Sequence, residues 1–529
     1  MERAGSSKHT EVTRVDTLVV GAGFGGLAAA LTLAEHGQSV RLHERLRYPG
    51  GCASSFEREG FRFEAGATLF SGLERGQLFG DWIARHKLDV QVDWIDPLVE
   101  FRCGARVLRV PRRREGLLEA LCAEPGAPEA RLRAFFAEQR RVADTLWELL
   151  DRPELLPPFD LRALLQHCKG LPRYLRLLRH VGRSLLRVLR GFELHEYRPL
   201  LEYLEGACQI TVQCGVAEAE APFALATMDY YYRGTGHVRG GIGELAWGLT
   251  RALEQCGGDA RFADAVQGVT RLDARSASDP RWEVRTRSGS VRCRDLLLNM
   301  LPHDAGDLLR ESGAEHATLQ RALQRSSARV DAGWGACMLY LVARAPVGAD
   351  DAAHHLQLVQ DANAPYRDGN HLFCSISGAH DGDRAPPGRR TLTVSTHVQP
   401  TELRALSDPA QGERVAAIQQ HMRAGLATLA PEWWQGVEHE LSASPRTFQR
   451  FTGRHAGLVG GVPRRAGLRP YFALFDSPRA PGLQLVGDSQ FPGQSTLAAA
   501  LGGARAAARV LRTRAPAHSS VAGGMLPGP

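Results

Sequence analysis

Gly21, Gly23 and Gly26 stand at the spacing G-x-G-x-x-G, with Phe24 and Gly25 inside it and Glu44 23 residues beyond the first glycine. Ahead of them, Asp16-Thr-Leu-Val-Val-Gly21 is short, apolar and rich in Val and Leu. That pattern predicts a strand buried on both faces. After them, Leu27–His36 predicts a helix, Gly37 its C′ stop, and Ser39–His43 a second strand ending at Glu44. Gly21 permits a tight turn, Gly23 lets backbone approach a pyrophosphate, and Gly26 lets the helix close on the strand. The helix N-terminus offers free N–H groups and partial positive charge to phosphates. Glu44 is placed to accept hydrogen bonds from ribose hydroxyls. The chemistry defined by this set is dinucleotide binding.

Past Glu44 the chain reads Arg45-Leu-Arg-Tyr-Pro-Gly50-Gly51-Cys52-Ala53, then Phe61-Arg-Phe-Glu-Ala-Gly66-Ala67-Thr68. Near the other end, Leu483-Gln-Leu-Val-Gly487-Asp488 is an apolar strand closing on Gly-Asp. A glycine loop follows, and then a predicted helix, Ser495–Leu511, opening with Ser495-Thr496-Leu497. Alone, that unit is an ordinary strand–helix pair with Asp488 as an N-cap. Taken together, the segments resemble the flavin-dependent amine oxidase and phytoene desaturase superfamily. The resemblance implies FAD, with Arg45, Gly50, Gly51, Cys52, Ala53, Gly66, Ala67 and Thr68 along its phosphate and ribityl region. It implies Gly487 and Asp488 at the ribityl chain. It also implies Ser495, Thr496 and Leu497 at the flavin N1/C2=O edge, where a helix N-terminus stabilises reduced, anionic flavin. In the middle, Arg239-Gly-Gly-Ile-Gly243, a helix over Ala246–Gln255 and a Gly257-Gly258 turn lead to Val266, whose backbone the resemblance places at the adenine. Two positions depart from the pattern: Cys52 stands where many amine oxidases carry Arg, and Glu64 where carotenoid desaturases usually show Asp.

The implied fold class is α/β. It has a Rossmann-like FAD-binding domain, glutathione reductase type 2-like and discontinuous in sequence, at 13–75, 230–310 and 478–512. Trp282–Arg287 and Ser290–Cys293 predict a hairpin, and Leu296–Asn299 a return to the parallel sheet. Insertions 76–229 and 311–477 are expected to form an α+β substrate domain with membrane-facing helices. Tails 1–12 and 513–529, rich in Ser, Ala, Gly and Pro, are predicted to be disordered. The chain has 529 residues, 43% hydrophobic and 23% charged, so a disordered chain or a fibre is excluded.

Of 65 basic residues only Lys8, Lys87 and Lys169 are lysine, which leaves almost nothing for Schiff-base chemistry. Ten cysteines form no CxxC pair, and no zinc spacing occurs, so no metal site is predicted and the thiols read as reduced. Thr17–Ala34 is an uncharged run behind Arg3, Lys8 and Arg14 that mimics a signal peptide, but its four glycines fit the dinucleotide turn instead. Between Leu161 and Phe192 there is no carboxylate. Eight cations, among them Arg173, Arg176, Arg179, Arg183, Arg187 and Arg190, alternate with leucines at helical spacing. That stretch predicts either docking on an anionic membrane surface or a solvated basic helix. No recognition motif accompanies the charge, so a nucleic-acid role is excluded. The expected location is cytoplasmic, peripheral on the inner face of the cell membrane. No feature specifies an oligomeric state.

Within the superfamily, the runs GGCASSF, FRFEAGATLFSGLE (61–74), HVRGGIGEL, PRTFQRFTGR (445–454) and VGDSQFPGQST resemble bacterial carotenoid desaturases of the C-3′,4′ type, with carotenoid isomerases next. The resemblance implies FAD-dependent desaturation of a long apolar polyene: a C–H beside the conjugated system gives hydride to flavin N5, and the neighbouring carbon loses a proton. With one dinucleotide motif already used, the implied electron acceptor is a quinone or O2. Alternatives are a cis–trans isomerase using reduced FAD, a retinol-type saturase, another amine oxidase-like enzyme, and a non-enzymatic FAD-binding lipid carrier. No lysine follows Lys169 to hold a water at flavin N5, which weighs against amine oxidation. No catalytic residue is assigned. Asp229, His237 and Glu244 fit structural roles best, and Tyr230, Tyr231 and Tyr232 fit either a cavity wall or core. Arg446 and Arg450 lie in a family-like run without a derivable role.

Overall fold

The computed structural model describes residues 13–152, 155, 161–311, 313, 317–473 and 477–514; the tails 1–12 and 515–529 and the Arg176 side chain lie outside the described residues. The chain builds two large sheets. In the first, β1 (Thr13–Val20) lies parallel between β2 (Val40–His43) and β12 (Ser290–Asn299). β9 (Asp259–Arg261) extends the β2 side, and β19 (Leu483–Val486) the β12 side, both parallel. β10 (Val266–Arg271) and β11 (Trp282–Thr286) form an antiparallel ribbon on the first half of β12, and β18 (Arg479–Ala480) edges β19. This is a Rossmann-like FAD fold, and its strands come from three stretches far apart in sequence.

Leu18 and Val19 of β1 are fully buried, as a central parallel strand requires. The helix behind it, Phe24–Glu35, starts three residues before the expected Leu27, because Gly25 and Gly26 belong to its first turn. Its Leu27, Leu31 and Leu33 are wholly buried, each worth about 1.5–3 kcal/mol. The signal-like run Thr17–Ala34 is therefore core strand and core helix. Among the described residues, no helix is long and apolar enough to cross a membrane.

One expectation is corrected. The strands at Ser290–Cys293 and Leu296–Asn299 are a single ten-residue strand, β12. Arg294-Asp295 between them contains no breaker, and Arg294 pairs with Asp16 of β1 at 2.6 Å, so the strand runs on. The last helix also continues past the expected Leu511 to Arg514, with the Thr513 hydroxyl donating to the Val510 carbonyl.

The second sheet has seven strands in the order β17 (Val437–Ala443), β13 (Gly335–Arg344), β16 (Arg389–Val398), β15 (His371–Ile376), β14 (His354–Val359), β6 (Val99–Cys103) and β7 (Arg106–Val110). Only the β14–β6 pair is parallel; its partners, such as Leu356 and Glu100, lie 256 positions apart. Two smaller pairings complete the sheets: β3 (Ser55–Arg58) with β4 (Phe61–Glu64), and β5 (Val92–Trp94) with β8 (Gly236–Val238). Helices Glu129–Leu150, Arg198–Thr211 and Ala221–Thr227 share an apolar core with β6, β7 and Phe373 of the second sheet.

Candidate cofactor and substrate cavity

A single cavity of about 890 Å³ runs from the carboxyl ends of β1 and β2 to the face of the second sheet. That volume lies within the range of ligand sites. At its near end Gly21 has φ +96°, and its N–H donates to the His43 carbonyl at 2.7 Å. Gly50, at φ +107°, donates to the Ala22 carbonyl at 2.8 Å and so lays the second glycine segment against the first. Glu44 is 6% exposed; its Oε2 accepts from Ala22 N–H and its Oε1 from Leu46 N–H, both at 2.8 Å. Burial raises its pKa against those donors. Each oxygen keeps a lone pair for the cavity it lines.

Asn299, at the end of β12, was not singled out from sequence, and it organises the loop. Its Nδ2 donates to the Gly21 carbonyl at 3.1 Å. A Cβ on Gly23 would stand 2.9 Å from Nδ2, one on Gly25 3.0 Å from Oδ1, and one on Gly487 2.8 Å from Oδ1. Glycines from both ends of the chain therefore close on this one side chain. Its signal was the position, at the carboxyl end of a parallel strand where open α/β sheets bind ligands.

Asp488 lines the cavity eight residues before Thr496, the first residue of the final helix, and is not its N-cap; Ser495 fills that place, its Oγ accepting from Ala498 N–H at 3.1 Å. Asp488 Oδ2 instead takes Arg454 Nη2 at 2.7 Å, while Arg454 Nε donates to the Leu458 carbonyl at 2.6 Å. Burial opposes the guanidinium charge, but Asp488 keeps it firmly protonated. Burial also pushes the Cys52 thiol up, with the Arg454 charge pulling the other way. An arginine from residue 454 thus stands near Cys52, where many amine oxidases carry one in the loop itself. Arg454 ends the family-like run 445–454, but no local pattern links it to Asp488.

Phe24, Arg45, Gly51, Ala53, Gly66, Ala67, Thr68, Val266, Thr496 and Leu497 also line this cavity. Gly26 does not line it: a Cβ there would lie 2.0 Å from the Gly21 carbonyl, so its role is the close helix–strand packing. The fit to FAD rests on these features. The glycine cradle would be filled by any side chain, Glu44 has acceptor capacity facing in, and Thr496 Oγ1 is buried without a protein partner at a helix start.

Of the other sequence candidates, Tyr230 lines the cavity, while Tyr231 is core, its hydroxyl taking Gln357 Nε2. Asp229 pairs with Arg114 and Gln139, Glu244 with Arg62 at 2.8 Å, and His237 with Arg384 at 3.2 Å; none of the three lines the cavity. Arg446 pairs with Asp408 at 2.5 Å, and Arg450 stacks on exposed Phe451. His303, Asp331 and His455 bring ligand-type atoms within 4.8 Å, but Arg404 Nη1 already stands 2.9 Å from His455 Nε2.

Sequence reasoning also missed Tyr471 and Glu220. Tyr471 lines the cavity and donates to Glu220 Oε1 at 2.5 Å; Gly182 and Phe223 N–H also donate to Glu220. Burial pushes the fully buried Glu220 up to about 7, despite those donors. A carboxyl raised from about 4.5 contributes stability that is complete below pH 4.5 and shed as pH rises through 7. The loss is on the order of 3 kcal/mol. Glu220→Gln is expected to melt with a smaller difference between pH 5 and pH 8 than wild type; an unchanged difference would contradict the assignment.

The second sheet and the helices around it supply an apolar far wall that includes Leu146, Leu150, Ile210, Phe223, Met338 and Phe373. One end of the cavity is thus suited to a dinucleotide and the other to a long apolar molecule. That combination defines a flavoprotein oxidoreductase. The chain belongs to the flavin-containing amine oxidoreductase family, whose sequence model matches residues 24–511, and its cofactor is FAD. Chloroplastic prolycopene isomerases from Arabidopsis thaliana (25% identical) and Daucus carota (24%) each align over 94% of this chain and over 82% and 80% of their own lengths. The all-trans-retinol 13,14-reductase of Homo sapiens is 26% identical over 48% of this chain and 42% of its own. Among solved structures, an oxidoreductase from Methanosarcina mazei (TM-score 0.61, 15% identical) covers 94% of this chain and 100% of its own. Putrescine oxidase bound to putrescine (TM-score 0.60, 15% identical) covers 95% and 100%.

Proposed function

We propose that this flavoprotein acts on the carbon–carbon double bonds of a long apolar polyene, and that its reaction is cis–trans isomerisation. The observation that carries it is the alignment of prolycopene isomerases over nearly the whole chain, substrate half included. The apolar far wall supports it. Bound flavin supplies reversible hydride transfer. The chain's own residues bind and orient: Glu44 takes the ribose, Asp488 the ribityl chain, the Gly21–Gly26 and Gly50–Gly51 segments the pyrophosphate, and Val266 the adenine. The test is chromatography of geometric isomers after incubating a poly-cis carotenoid with photoreduced enzyme under argon. All-trans product without net oxidation is expected; an unchanged isomer pattern would remove the assignment.

A second reading, desaturation passing electrons to a quinone or O2, is favoured by the 61–74 run. Under it, the same incubation with oxidised enzyme yields a longer chromophore.

We also propose that the protein sits peripherally on an anionic, cytoplasmic membrane surface. On the Leu161–Leu178 helix, Ala163, His167, Tyr174 and Leu177 face inward, while Leu164, Leu171, Leu175 and Leu178 are 48–61% exposed. Phe472 (70%) and Leu468 (56%) are exposed nearby; Leu468 lies against Gly182. The sequence reading put the arginines forward, but Arg173 pairs with Glu148 and Arg179 with Glu138, so the leucines are the inserting group. Arg183, Arg187 and Arg190 remain exposed for lipid phosphates. His167 and Leu155 on the inner side line the cavity, which would open it towards lipid. Leu171→Asp/Leu175→Asp is expected to lose flotation with anionic vesicles while keeping the flavin spectrum; undiminished flotation would contradict this placement.

A further inference from the structure

Three stretches of the chain, at 70–73, 230–236 and 495–497, meet beside the cavity. Phe70 bridges to Gly236, and Gly72 N–H donates to the Arg233 carbonyl at 2.6 Å. A Cβ on Gly72 would stand 2.7 Å from Leu497 Cδ1, so this turn also lies hard against the start of the final helix. The polar side chains brought together here are hydroxyls. Ser71 Oγ donates to the Tyr230 carbonyl at 3.1 Å and lies 2.7 Å from Thr235 Oγ1. Tyr230 and Thr496 line the cavity, and Ser71, Thr235, Tyr230 and Thr496 are all buried.

Two of these hydroxyls are left over. Tyr230 Oη and Thr496 Oγ1 are buried, and neither makes an aligned hydrogen bond within the protein. Burial raises the pKa of the phenol, and the Ser495, Ser71 and Thr496 hydroxyls oppose that rise. The phenol therefore stays protonated, a donor with three hydroxyl neighbours. Ser495 Oγ is engaged as the helix N-cap, and Ser495 itself is held at φ +84°, which costs a residue other than glycine about 1–3 kcal/mol. Such strain persists where the surroundings fix it, and it clusters at ligand clamps. A hydroxyl proton turns to suit its neighbours. Rotatable O–H dipoles at a helix start therefore suit an acceptor whose charge changes.

We infer that Tyr230 is a positioning residue for the reduced state of the flavin: its phenol, acting through Thr496 Oγ1, turns O–H dipoles toward the N1/C2=O edge of FAD when that edge carries negative charge. Reduced FAD is then held more tightly than oxidised FAD. Any helix start offers backbone N–H groups to such an edge. The hydroxyl chain that reaches back through Tyr230 to Ser71 and Thr235 is a property of these residues. Tyr231 and Tyr232, next in sequence, take no part, since neither lines the cavity. The inference rests on placing that edge at the Ser495–Leu497 turn. It bears on the isomerase reading because that reaction needs the flavin kept reduced.

The test is the midpoint potential of the FAD-loaded protein, titrated under argon against a reference dye, together with the affinity for oxidised FAD. Tyr230→Phe removes one oxygen and keeps the ring among Phe70, Leu73 and Leu497. It is expected to lose tenfold or more of the preference for reduced over oxidised FAD, a potential about 30 mV lower for a two-electron couple, with oxidised FAD bound as in wild type. Thr496→Val tests the same chain from its other end and should shift the same way; where Tyr230→Phe does not hold FAD, Thr496→Val decides by the same two outcomes. Tyr231→Phe, whose hydroxyl bonds Gln357 in the core, should leave the potential alone. An unchanged potential in Tyr230→Phe, with or without weaker binding of oxidised FAD, overturns the inference. If Asp488→Ala then loses FAD, the cofactor's place in the cavity stands; if Asp488→Ala keeps it, that placement falls as well.

Discussion

Glu44→Ala is expected to purify as a colourless apoprotein. The carboxylate ends β2, is nearly excluded from water, and holds the loop by its bonds to Ala22 and Leu46 N–H. Two ribose hydroxyls on the remaining lone pairs would be charge-assisted bonds of about 1.5–3 kcal/mol each. Their loss weakens FAD by a hundredfold or more. The substitution also leaves the Ala22 N–H buried without its acceptor, so the loop loses its preformed shape. Glu44→Gln keeps an acceptor and should recover part of the affinity; FAD titration of the two apoproteins by fluorescence quenching separates them. Asp488→Ala should follow the same direction, leaving the partly buried Arg454 cation without its carboxylate partner. Full flavin absorbance in purified Glu44→Ala would mean that FAD is bound elsewhere.

Gly503→Ala is expected to cost more than about 3 kcal/mol and to leave little soluble protein. Gly503 lies where the Thr496–Arg514 helix crosses the Phe24–Glu35 helix. A Cβ there would fall 2.0 Å from the Gly25 carbonyl oxygen and 3.0 Å from Ala29 N. Both obstacles are backbone, so no rotamer change relieves them, and the displaced helix is the one whose first turn faces the cofactor. Gly502→Ala is the control: its Cβ meets only the Phe491 carbonyl oxygen at 3.3 Å and the Pro492 ring at 3.5 Å within close reach. Thermal melts should show a small loss for Gly502→Ala and a large one for Gly503→Ala. Equal, small losses would show that the two helices are not packed this tightly.

The dinucleotide half was legible because its signals are local. An apolar run, three spaced glycines and an acid sit within one stretch, and each fixes its own turn or bond. The errors there were small and physical: the helix began at Phe24 because glycines read as loop lie in its first turn. Asn299, Arg454 and the Tyr471–Glu220 pair were illegible for the opposite reason. Asn299 meets Gly21 across 278 positions, Arg454 meets Asp488 across 34, and Tyr471 meets Glu220 across 251, and no periodicity encodes such meetings. The seven-stranded sheet is a similar case, since β6 and β14 pair only once both insertions have folded. The 161–192 stretch was read as basic and amphipathic, and two helices form there. Periodicity alone did not say that the leucine stripe would face outward, because a helix pattern is the same whether its apolar side meets protein or lipid.

The measurement that bears most directly on the account is an anaerobic spectral titration of the FAD-loaded protein on anionic vesicles with a polyene, flavin and polyene bands recorded together. Isomerisation predicts a shift of the polyene bands that requires prior reduction of the flavin and leaves the flavin reduced at the end. Polyene bands indifferent to the protein in both flavin states, with the flavin intact, would contradict the claim that cofactor and polyene meet in this cavity.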